Sequence, residues 1–142
     1  PFPLMWIFFG LLSAVTAALM TICAKIGLKN IDPTLATAVR SGIMFVFMIF
    51  VAIFSGKIQH IGDFDARAWR WIVAAGLFGA LSWLFYFVGL EQTSASKLAA
   101  LDRLSLPLII LFSVFLLSEK LSWPLAIGGV FVTIGAILIA RA

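Results

Sequence analysis

Five apolar runs, each about as long as the roughly 20 helical residues that cross a bilayer core, occupy most of the chain. They fall at about residues 4–26, 34–54, 69–90, 96–117 and 123–140. None alternates with the period of two that marks a membrane barrel, so the expected fold is all-α: an integral membrane protein with five transmembrane helices in one domain spanning residues 1–142. Composition agrees. Hydrophobic residues make up 63% of the chain and charged residues 11%, against about 25% charged in a soluble domain. A soluble chain of 142 residues has no interior large enough for that much apolar surface. The expected location is a cell membrane, of the prokaryotic inner or plasma type, crossed several times.

The ends of the runs carry helix signals. Asp32 is placed to N-cap the second helix, with Pro33 at its first position. The polar linker GKIQHIGDFDARAWR precedes the third run, with Asp65 as its N-cap. EQTSAS precedes the fourth, and Ser122 or Trp123 opens the fifth with Pro124 in the first turn. Trp6, Trp69, Trp71 and Trp123 lie near run ends, as interfacial aromatics do. The first run lacks a basic leader and is followed by four more, so it is expected to remain as a helix. The chain opens on Pro1, which leaves the native start undefined.

An odd number of spans sets the termini on opposite sides. Lys25, Lys29, Lys97 and Arg141 then fall on one side, and Lys57, Arg67, Arg70 and Lys120 on the other. Four against four gives the positive-inside rule almost nothing to act on. Either another signal fixes the topology or the chain inserts both ways, and dual insertion permits an antiparallel homodimer with the inverted symmetry that transporters use. The net charge of +4 suits anionic headgroups and gives no sign of a nucleic-acid partner. One Cys and one His supply neither an intrachain disulfide nor a metal cluster, and no cofactor is expected.

The stretch GLEQTSASKLAALDRLSLPLIILFSVFLLSEKLSWPLAIGGVFVTIGAILI resembles the last part of an EamA domain of the drug/metabolite transporter superfamily. The small-residue turn TSAS, the helix with an internal Pro, the closing LLSEK and the Gly-Gly helix carry the likeness. FFGLLSAVTAALMTICAKIGLKNIDPTLATAVRSG resembles the opening pair of helices of the same unit. Family members usually hold two such units in tandem, and this chain shows one; the resemblance therefore implies an antiparallel homodimer. Ser118 stands where Gly is common, which is expected to stiffen that helix end.

The fourth run contains Asp102 and Arg103 side by side. A mid-membrane Asp or Arg costs about 2.5–3.5 kcal/mol on insertion scales, so each is expected to find a partner on another helix. Arg40 is the first candidate for Asp102 and Lys25 the second. Pro107 removes an N–H from the helix and displaces the carbonyl four residues back, that of Arg103, making it a candidate hinge. Irregular backbone at membrane depth is tolerated where it lines a cavity. The cluster is therefore either a buried ion pair that fixes helix register or a binding site for substrate or coupling ion. Lys97 either snorkels to the interface or meets substrate.

Other residues divide the same way. Ser13 and Thr16 lie on a small, weakly polar face of the first run, for packing or for cavity lining. Tyr86, with Trp83 beside it, needs a partner for its hydroxyl, on another helix or on a substrate. Gly76 and Gly79 allow close helix approach. Gly129, Thr133 and Ala136 form a small stripe for helix packing or dimer contact. Glu119 and Lys120 cap a helix end or gate, and His60 is solvated.

No catalytic motif is present, so no enzyme is expected. Small multidrug resistance proteins of the same superfamily carry a carboxylate in the first span to bind cations. The first run here has none, and the one deep carboxylate, Asp102, stands beside Arg103. The expected function is a secondary active transporter moving a small anionic, zwitterionic or neutral polar metabolite by alternating access. The alternatives are a noncatalytic membrane scaffold or lipid-sensing subunit, and an exporter of lipid or of cationic drugs.

Overall fold

The structure is a computed structural model and describes residues 4–142. Its helices are α1 (Met5–Gly27), α2 (Pro33–Phe54), α3 (Ala66–Gln92), α4 (Ala95–Asp102), α5 (Ser105–Leu116) and α6 (Trp123–Arg141), with a 3-10 turn at Ile58–Asp63. No strand occurs among the described residues. Among the described residues, five helical segments are long and apolar enough to cross a membrane, with Ala95–Leu116 counted as one. The chain is thus an all-α, multi-pass membrane protein.

Local chemistry accounts for the ends. The Leu35 N–H donates to the Asp32 carboxylate at 2.9 Å, and Pro33 follows as the first helical residue. The Ala68 N–H donates to Asp65 at 2.7 Å, which starts α3 three residues before the apolar run. Ser122 precedes α6, whose first turn holds Pro124. Hydroxyls inside the spans bond along their own helices: Thr37 to the Pro33 carbonyl at 2.7 Å and Ser41 to that of Thr37 at 2.8 Å. In a medium without water, that is how a small polar side chain is satisfied.

The fourth apolar run is two helices, not one. Pro107 has no N–H to offer the Arg103 carbonyl, which accepts instead from Leu106 at 3.0 Å. The Leu104 N–H likewise reaches back only three residues, to Leu101, at 2.9 Å. The chain tightens at Arg103 and Leu104, and α5 starts afresh with Pro107 in its first turn, where proline is tolerated. At the other end of α5, Ser118 has φ +56, the left-handed region that glycine favours. The Glu119 N–H then turns back to the Ser113 carbonyl at 3.2 Å. Asn30, with φ +65, serves the turn between α1 and α2.

The chain divides into two compact units. The first joins α1, through Ile26, with the segment from Gln92 to Ala142; the second runs from Gly27 to Glu91. In the first, α6 packs along α4 and α5. Gly129 is buried there, and a Cβ added to it would stand 3.2 Å from the Ile110 Cδ1 and 4.0 Å from the Pro107 Cβ. In the second, α2 and α3 make little backbone approach.

Candidate functional site

The most distinctive site lies in the second unit, between α2 and α3. Arg40 sits two turns into α2, about 10 Å from its start at roughly 1.5 Å per residue. Its guanidinium carbon lies 3.9 Å from the centre of the Trp83 ring, with Phe87 at 5.7 Å. Trp83 in turn meets Tyr86 edge-on at 5.4 Å and Phe87 at 6.2 Å. Tyr86 and Phe87 are buried, 9% and 3% exposed, so the aromatic base is fixed while Arg40 is half-buried on top of it. A guanidinium over an indole face is held by the ring quadrupole, with about 2 kcal/mol or more once water is removed.

Arg40 and Trp83 line a groove of about 550 Å³. Met44 and Met48, one and two turns along α2, form one wall; Gly76 and Gly79 on α3 form the other. A Cβ at either glycine would meet nothing within 4 Å. These glycines hollow the groove and do not bring the helices together. No carboxylate lines it.

The first unit holds the other residues singled out by the sequence. The Lys25 ammonium donates to the Thr93 carbonyl at 2.7 Å, tying the last turn of α1 to the turn between α3 and α4. Asp102 ends α4 and Arg103 caps it through its N–H; both side chains are exposed. Ser13 and Thr16 are exposed on α1, and the Thr16 hydroxyl points back to the Leu12 and Ser13 carbonyls at 2.9 and 3.0 Å. Pro107, Gly129 and Thr133 share a second, apolar groove of about 310 Å³ with Ile110. The Thr133 hydroxyl donates to the Gly129 carbonyl at 2.8 Å, and Ala136, one turn on, is 4% exposed.

The structure therefore brings Arg40, Trp83 and Tyr86 together, and Pro107, Gly129 and Thr133 together. Ser13 and Thr16 join neither group. Phe87, Met44 and Met48 were not singled out from the sequence. The signal for Phe87 was its four-residue step from Trp83, and for the methionines their steps of four and eight from Arg40.

Comparison with known proteins agrees with this architecture. Residues 4–141 match the EamA-like transporter family. The chain belongs to that family. It is 34% identical over 135 residues to an uncharacterized transporter in the cobO 3' region of Sinorhizobium sp., covering 95% of this chain and 96% of that protein. That relative is thus of about the same length as this chain. No solved structure matches. The family and this relative both point to transport, not to an enzyme.

Proposed function

We propose that this EamA protein is a secondary active transporter that moves a small polar metabolite, anionic, zwitterionic or neutral, by alternating access. The observation that carries this is Arg40: a cation at membrane depth, stacked on Trp83, lining a groove with no carboxylate in it. A cationic solute meets like charge there, while an anionic or dipolar one meets its complement. Arg40, Trp83 and Tyr86 in the second unit, and Lys25, Asp102, Arg103, Ser13 and Thr16 in the first, are the residues proposed to border the path of substrate or coupling ion. The break at Arg103 and Leu104, set by Pro107, is the proposed hinge, because irregular backbone is where a helix changes direction at least expense. Gly129, Thr133 and Ala136 are proposed for helix packing or dimer contact. The working form is proposed to be an antiparallel homodimer, supported by the balanced basic residues.

The test is reconstitution of the purified chain in liposomes, with gradient-driven flux measured for anionic, zwitterionic, neutral and cationic solutes. Flux of one of the first three classes without a partner protein is expected. A chain that moves nothing supports a scaffold or lipid-sensing role, and flux confined to cationic dyes or lipids supports an exporter of those.

A further inference from the structure

The acids of the second unit are Asp32, Asp63, Asp65 and Glu91. Asp32 and Asp65 accept from helix N-termini, Asp63 meets His60 at 2.9 Å, and none of the four lines the groove. Arg40 therefore has no counterion within its own unit, and none of its five N–H donors is bonded there. With its guanidinium carbon 3.9 Å from the centre of the Trp83 ring, the group is held by the indole while its N–H donors stay unbonded within the unit.

Resting on the transport proposal, the geometry points to a narrower ligand: Arg40 on Trp83 is a binding site for a monocarboxylate with an apolar body. A carboxylate matches the forked edge of a guanidinium with two parallel hydrogen bonds. One cation balances one anionic charge. A phosphate monoester carries about −1.5 to −2 at neutral pH and would leave excess charge in a groove that offers no second cation. The rest of the ligand faces Met44 and Met48, whose flexible thioethers adapt to varied apolar shapes, and the space left by Gly76 and Gly79. At about 550 Å³ the groove falls in the range of small-molecule sites, about 300–1,000 Å³.

The experiment uses the full chain in lipid nanodiscs, with empty nanodiscs subtracted. Calorimetric binding is measured for phenylacetate, its amide, the matched amine and phenyl phosphate. Phenylacetate is expected to bind at least tenfold more tightly than the other three. Arg40→Gln should lose that preference, and Arg40→Lys, which keeps the charge without the fork, should weaken it severalfold. Gly79→Leu fills the groove without substituting Arg40 or Trp83 and should weaken binding while thermal stability holds. Equal binding of acid and amide, or unchanged binding in Arg40→Gln, overturns the site. If Arg40→Gln does not fold, the acid–amide comparison and Gly79→Leu decide alone. Arg40-dependent binding in a protein that moves no solute overturns the transport proposal and leaves the site standing. Flux of other solutes without carboxylate binding does the reverse.

Discussion

Gly129 offers the sharpest packing test. It is buried on α6, and a Cβ there would stand 3.2 Å from the Ile110 Cδ1. Normal carbon contacts begin at about 3.5 Å, so Ile110, itself 9% exposed, must shift by a few tenths of an ångström. Overpacking of this kind costs about 1–3 kcal/mol. Against that, replacing a mid-helix Gly with Ala gains about 0.8–1.0 kcal/mol of helix propensity. Gly129→Ala is therefore expected to destabilise by about 1 kcal/mol. Ile110→Val removes the Cδ1 atom. In that background Gly129→Ala should stabilise by about 1 kcal/mol, because only the propensity gain remains. The coupling between the two positions is then about 2 kcal/mol, well inside the range for residues in contact. Unfolding by SDS titration in mixed micelles, followed by circular dichroism across all four proteins, measures it. If the two substitutions simply add, the α5–α6 contact described here does not govern this site. Gly129→Leu, with three further carbons beside Ile110 and Pro107, should weaken packing more than Gly129→Ala, in the same assay.

Three other expectations follow from particular residues. Ser118→Gly should stabilise by about 0.5–1 kcal/mol, since a left-handed L-residue costs about 1–2 kcal/mol and part of the relief is lost to the freer unfolded chain; Ser118→Val should destabilise, and SDS unfolding that ranks Val above Gly would refute the backbone assignment. Lys25→Met leaves the Thr93 carbonyl without its 2.7 Å donor and should cost about 1–3 kcal/mol, read as a lower melting temperature in detergent; an unchanged melting temperature would mean that water replaces the ammonium. C-terminal reporter fusions should be active on both sides of the membrane, and two Lys residues added between α2 and α3 should drive that loop to the cytoplasmic side; activity on one side only rules out dual insertion.

The spans and their starts were legible because they depend on signals that are local in the chain. Length and hydropathy set the five segments, and Asp32, Pro33, Asp65 and Pro124 mark starts through bonds reaching three or four residues. The disturbance at Arg103 was legible for the same reason, since Pro107 acts on the carbonyl four residues back. What the sequence left open was how small residues are used. Gly129 and Gly79 look alike as letters; one is filled by Ile110 and the other faces open space. Only the separation of neighbouring helices decides between those outcomes, and between α2 and α3 the gap is bridged by the long side chain of Arg40 reaching the Trp83 ring. At Ser118 the structure differs from the sequence expectation. The expected effect was a stiffer helix end, whereas the position requires a left-handed backbone, which a hydroxymethyl side chain tolerates at an energetic cost.

A charge at Arg40 needs a partner, and Coulomb reasoning looks for an acid, but within its unit the structure supplies an indole. The difference matters for function. A mid-membrane Arg costs about 2.5–3.5 kcal/mol on insertion scales, and a desolvated stack on Trp returns about 2 kcal/mol or more. Within its unit the charge is thus tolerated without a counterion, and its N–H donors stay unused there. Had a carboxylate closed the fork, an incoming anion would have had to break a buried ion pair, a loss of about 3–5 kcal/mol. An aromatic partner avoids that competition. It holds the guanidinium against the indole before the ligand arrives, so less freedom is lost on binding. A transported solute must also leave, and a single fork on a half-buried cation holds it more weakly than a fully enclosed one.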